Sequence, residues 1–182
     1  MFSGFLLLFG FVFSACNRVP DAATALPKES DAHSLVLVSA EEPGQRLTLF
    51  GTVVDARTGA PIANAQVYLY HADADGEYTP GDPVDESTAR LSGEVTTWEE
   101  GQFTVYTIVP REYDVPGNRH IHIHYIAAEG YQNGGGVILF EDDVNDDIRQ
   151  WANDTGFGTI IDLEDVGGVQ QGKVIIPLEP LE

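Results

Sequence analysis

The chain has 182 residues, a length that suits one domain, and its nine Lys and Arg against 29 Asp and Glu leave a formal charge of −20. That charge excludes nucleic acid as a partner, since no basic stripe exists to hold phosphates, and it disfavours anionic ligands unless a local cation receives them. A single Cys excludes an internal disulfide framework, a thiolate zinc cluster and a CxxC redox pair, while 43% hydrophobic residues exclude a disordered acidic tail.

At the start of the chain, Phe5 to Phe13 is an apolar run too short to span a bilayer and suited to the core of a signal peptide. Ser14-Ala15-Cys16 follows, and small residues before a Cys resemble the lipobox of bacterial lipoproteins. The resemblance implies that residues 1–15 are removed, that Cys16 is acylated, and that the protein is extracytoplasmic, touching a bacterial membrane only through its lipid. From Asn17 to about Gln45 the composition turns to Ala, Pro, Ser, Asp and Glu, with only His33 to Val38 able to order. The expectation is a tether over 16–45 and one folded domain over 46–182.

Leu47, Leu49, Gly51 and Val53 alternate along a first predicted strand, which ends at the turn Asp55-Ala56-Arg57-Thr58-Gly59. Further strands are predicted at Ala65 to Tyr70, Gln102 to Val109, Ile121 to Ile126, Val137 to Phe140 and Lys173 to Leu178. Only Asp146 to Trp151 reads as helical. Asp73-Ala74-Asp75-Gly76 reads as a turn, and the acidic run Glu141 to Asp147 as a solvated loop. Short strands broken by Gly, Pro and Asp predict an all-β fold, an antiparallel β-sandwich.

No P-loop, GxSxG, HExxH or GxGxxG is present, so nucleotide binding and the common hydrolase chemistries lack support. The conspicuous cluster is Arg119-His120-Ile121-His122-Ile123-His124-Tyr125. On a regular strand His120, His122 and His124 share one face while Ile121 and Ile123 point into the apolar interior. Two imidazoles separated by one strand residue can chelate one ion. A solvated histidine stripe on an edge strand is the other reading of the same pattern.

Several segments together resemble one family. They are Gly51 to Asp55 with Gly59-Ala60-Pro61 and Ala65 to Tyr70; Tyr70-His71-Ala72-Asp73-Ala74-Asp75-Gly76-Glu77-Tyr78; Arg90; Thr97 with Gly101; Thr107 to Tyr113; and Arg119 followed by His122 and His124. This series, from about Arg46 to Asp143, resembles the intradiol ring-cleavage dioxygenases. The resemblance implies that Tyr78, Tyr113, His122 and His124 ligate ferric iron, Fe(3+), and that Arg119 stabilises negative charge on the reacting substrate. It implies a small aromatic diol and O2 as partners, cleavage between the two hydroxylated carbons, and a muconate-type diacid as product. Val137 falls where the family has an active-site Gln, Arg111 where it has Gly and Trp98 where it has Asp, while His120 is an additional pocket residue. Phenolate oxygens are hard donors that suit ferric iron, and two of them with one hydroxide balance its charge. An apolar Val137 also predicts uncharged catechols in preference to carboxylated ones. A homo-oligomer is compatible with the sequence. Two other classes stay open: a non-catalytic transthyretin-like or carboxypeptidase-regulatory-like binding module, and a copper- or zinc-binding periplasmic protein using His120, His122 and His124.

Overall fold

A computed structural model describes residues 31–112 and 116–182 of the chain; the expectations for residues 1–30, Cys16 among them, and for Tyr113 fall outside the described residues. Ten strands and one helix follow in the order β1 (Ser34–Val36), β2 (Arg46–Asp55), β3 (Gln66–His71), β4 (Leu91–Thr96), β5 (Gln102–Ile108), β6 (His120–Ala127), β7 (Gly134–Phe140), α1 (Asp146–Thr155), β8 (Gly158–Ile161), β9 (Leu163–Val166) and β10 (Val169–Leu178). They form two five-stranded sheets, ordered β1-β5-β2-β10-β9 and β4-β3-β6-β7-β8. The period-two alternation read from the sequence fills the space between them. Leu47, Leu49, Val53, Phe103, Val105, Val174 and Ile176 come from one inner face, and Val67, Leu69, Ile121, Ile123, Ile126, Ile138 and Phe140 from the other. At Gly51 a Cβ would lie 2.0 Å from the Phe103 ring, so glycine is what lets that ring lie flat on β2.

The all-β sandwich is as expected, but it is not antiparallel throughout. β1 runs parallel to β5, β10 to β2 and β7 to β8. Parallel neighbours need a crossover, and for β7 and β8 that crossover is α1. The helix is longer than Asp146 to Trp151. Asn145 caps it by accepting from the Ile148 N–H, and Gly156, in the left-handed region at φ 67°, ends it. The crossover lays α1 against the outer face of the second sheet, where Ala152 and Ile148 pack on Val137 and Leu139.

Within the expected tether, the stretch His33 to Val38 does order. β1 lies inside the region expected to be tether, with Leu35 and Val38 buried at 7% and 5% exposure. Leu35 fills the space above Gly93, where a Cβ would come within 2.8 Å of it, so the folded body begins well before Arg46.

Candidate active site

The outer face of β6 carries the chemistry. Ile121 and Ile123 enter the core, and His120 and His122 therefore point away from it, toward the loop that follows β3. That loop brings in Tyr78, whose side chain is buried with Ala72 and Ala89. Its carbonyl accepts from the Arg90 N–H, and Arg90 in turn grips Glu42 and Asp73 through its guanidinium. Three donor atoms converge. Tyr78 Oη lies 3.2 Å from His122 Nε2 and 3.4 Å from His120 Nε2, and the two Nε2 atoms are 2.9 Å apart.

The surroundings fix how these atoms are presented. His120 Nδ1 lies 2.7 Å from the Asn118 carbonyl, which can only accept, so Nδ1 carries the proton and Nε2 offers its lone pair. His122 stacks flat on the Tyr70 ring at 4.3 Å and 8°, which sets its plane. Burial, reinforced by neighbouring His120, His124 and His71, pushes the His122 imidazole down to about 3, so it is neutral near pH 7. Behind this pair His71 is fully buried and pushed down to about 4 by desolvation. Its Nδ1–H donates to the Ala72 carbonyl and its Nε2 accepts from the Thr107 hydroxyl, both at 2.7 Å.

The donor set fits a metal ion. Donors about 2 Å from one ion at angles of roughly 90–120° lie about 2.8–3.5 Å from one another, the range found here. One phenol oxygen and two imidazole nitrogens, with no thiolate, suit ferric iron. Tyr78 is essential to the set: among the described residues no group of three His, Cys, Asp or Glu is placed to hold a metal. The three-histidine copper or zinc site is therefore not formed.

His124 and Arg119 are placed otherwise than expected. β3 advances one residue from Tyr68 to Leu69 while β6 advances two, from Tyr125 to Ile123, so His124 is the extra residue of a β-bulge. The bulge re-aims it: the ring is exposed and packs edge-on against Tyr68 and Tyr125 at 5.6 and 5.8 Å. The signal was present in the sequence, because inward Ile121, Ile123 and Ile126 are spaced by two and then by three. Arg119 bridges Asp142 at 2.9 Å and Asp143 at 3.1 Å and lies over the Phe140 ring, so the acidic run expected to be merely solvated holds it away from the histidines. Arg119 stands three residues before His122; the position three residues before His120 is Gly117. Its φ is +84°, and a Cβ there would meet Asp143 and Asn145 at 2.9 Å, so an arginine has no room.

A cleft of about 480 Å³ opens onto His120 and His122. Val137, paired with His122 across β6 and β7, lines it with Leu139 on the sheet side. Ile148, Trp151 and Phe157 line it from α1 and the loop beyond, and Glu86 and Asn118 complete it. The helix comes close because Gly136 and Gly158 lack side chains: a Cβ on either would meet Phe157 O at 2.6 Å or Ala152 Cβ at 2.9 Å. Tyr70, Trp151, Phe157 and Glu86 were not singled out from sequence. Only Tyr70 left a signal, alternating outward beside inward Leu69 and His71.

The sequence pattern of the family described as dioxygenase (Dioxygenase_C) matches residues 20–155. Catechol 1,2-dioxygenase of Acinetobacter baylyi is 37% identical over 106 residues, 49% of this chain and 34% of that protein. Chlorocatechol 1,2-dioxygenase of Rhodococcus opacus is 31% identical over 121 residues, 57% of this chain and 47% of its own length. The chain thus spans a third to a half of these curated relatives. Among solved structures, 3-chlorocatechol 1,2-dioxygenase of Rhodococcus opacus 1CP superposes with a TM-score of 0.63 at 25% identity, over 87% of this chain and 69% of that one. The dioxygenase domain of a dioxygenase carbohydrate-binding protein fusion from Streptomyces sp. SirexAA-E shares the fold at a TM-score of 0.62 and 24% identity, over 88% and 96%. With a β-sandwich of this topology and a tyrosine–histidine cluster on its outer face, the chain belongs to the intradiol ring-cleavage dioxygenase family.

Proposed function

We propose that the chain is a non-haem Fe(3+) dioxygenase that opens catechol-type rings between the two hydroxylated carbons with O2 and releases muconate-type diacids. The observation that carries this reading is the convergence of Tyr78 Oη, His120 Nε2 and His122 Nε2 on one point, beside an apolar cleft that the two histidines line. The proposed ligands are Tyr78, His120 and His122, with Tyr113 as the second phenol that the family resemblance assigns. His120 takes the place that the resemblance gives to His124. A bound ferric ion would supply Lewis acidity toward the catechol oxygens and activate the bound catecholate toward O2. The chain's own residues do the rest. Tyr70 and the Asn118 carbonyl hold the two imidazoles in orientation, and Val137, Leu139 and Ile148 exclude water from the ring. Tyr78, kept in place by the Arg90–Asp73–Glu42 clasp, offers a phenol oxygen that can exchange a proton with an arriving diol.

The test is to load purified protein with iron in air and follow visible absorption, oxygen uptake and diacid formation with catechol. Tyrosinate-to-iron absorption with uptake of O2 supports the reading; iron-loaded protein that leaves catechol intact overturns it. We further propose that acylated Cys16 anchors the domain to a bacterial membrane outside the cytoplasm, in the periplasm or at the cell surface. A Cys16→Ser variant should leave the membrane fraction or remain unprocessed.

A further inference from the structure

We propose that the cleft selects catechols carrying a cationic arm, an alkylammonium group on the ring side chain, over neutral and carboxylated ones. This deepens the dioxygenase reading and rests on it. Among the described residues lining the cleft, Glu86 is the one acidic side chain, and neither Lys nor Arg lines it. The arginine the family resemblance would place there is engaged with Asp142 and Asp143, and Gly117 leaves no room for another. Glu86 is presented by a braced turn. Asp85 caps that turn by accepting from the Ser87 N–H and hydroxyl, the Glu86 carbonyl accepts from the Ala89 N–H, and the Tyr68 hydroxyl donates to the Ser87 carbonyl.

Two large aromatic side chains stand in the same cleft, half in water. Trp151 and Phe157 are 42% and 50% exposed and meet edge to face at 6.2 Å. Side by side, the two rings make a contiguous apolar patch of the kind found in ligand-binding clefts. An alkyl stem lies well against such rings, and their faces attract an ammonium group while giving a carboxylate nothing. A carboxylate at this mouth would meet Glu86, no cation among the described lining residues, and the field of a chain of net charge −20. An ammonium group would find Glu86, the ring faces and that same field all favourable.

The experiment compares three catechols of similar arm length on iron-loaded protein: dopamine (ammonium), ethylcatechol (neutral) and hydrocaffeate (carboxylate). At low salt kcat/KM for dopamine should exceed that for ethylcatechol by about fivefold or more, with hydrocaffeate lowest. Physiological salt should narrow both gaps, since the long-range part is screened beyond roughly 8 Å. Glu86→Gln should bring the dopamine-to-ethylcatechol ratio close to one, and Trp151→Ala should lower it in part. Dissociation constants measured without O2, by quenching of tryptophan fluorescence, should follow the same order. Turnover of ethylcatechol with no advantage for dopamine, or an advantage that survives Glu86→Gln undiminished, overturns the cationic-arm proposal and leaves the dioxygenase reading standing. Iron-loaded protein that turns over none of the three overturns both.

Discussion

At His124 a single unpaired residue decides which imidazoles face Tyr78. The sequence shows three histidines in alternation, and a regular strand would present all three. The bulge admits His120 and His122 to the convergence and turns His124 outward. His120→Ala should therefore weaken iron binding tenfold or more and bleach the visible band, whereas His124→Ala should leave iron content within about twofold. The reverse result, measured by metal analysis of the two purified variants, would restore His124 as ligand. The residue types of the site were legible, because a phenol at Tyr78 and alternating imidazoles on β6 together make a hard, thiolate-free donor set. The register was not, since a bulge is written only in the spacing of Ile121, Ile123 and Ile126 and depends on how β3 and β7 pair with β6. The Arg119 side chain was likewise illegible. Its partners Asp142 and Asp143 come from beyond β7, and only the folded sheet brings them alongside.

Among the elements, the long alternating strands were legible and the short ones were not. β9 reads Leu-Glu-Asp-Val and β4 contains Gly93 and Glu94, so neither offers the apolar rhythm of β2 or β6; pairing with β10 and β3 makes them strands. β1 was legible in part, since His33 to Val38 is the one orderable stretch of the expected tether, but its partner was not, until β5 and Gly93 supply a place for Leu35. Leu35→Ala should destabilise the fold by about 2–3 kcal/mol in a urea titration, as expected for truncation of a side chain only 7% exposed. A shift below about 0.5 kcal/mol would return this segment to the tether. The helix shows how an element serves the site without supplying any of its proposed ligands. As the crossover between β7 and β8, α1 is obliged to lie on a face of the sheet, and the face it takes is the one carrying His122 and Val137.

For the molecule as a whole, the buried His71 links stability to acidity. Its imidazole is neutral in the fold down to about 4, while in the unfolded chain it titrates near 6.5. Above about 6.5 neither state holds the proton. Below it the unfolded chain takes one up and the fold does not, so stability is full at neutral pH and falls as the pH drops toward 4, by on the order of 3 kcal/mol. Urea midpoints from pH 7.5 to 4.5 should show this slope, and His71→Gln should lessen it without abolishing it, since the depressed His122 adds a slope of the same sign; parallel slopes in the two proteins would dismiss His71 as a cause. A further consequence follows from the parallel seam of β10 and β2, which pairs Lys173 with Phe50 and Leu178 with Asp55. Val174, Ile176 and Leu178 close the main core, so while a ribosome is still making the chain the apolar side of β2 has no companion on that edge. Native closure must wait for β10 to emerge, well over a hundred residues after β2, and contacts across so much sequence form slowly. The nascent chain therefore stays open until β10 is made, and Tyr78, His120 and His122 reach their final spacing only once the two sheets have closed. On the proposed function, iron would then enter a pocket that is already formed.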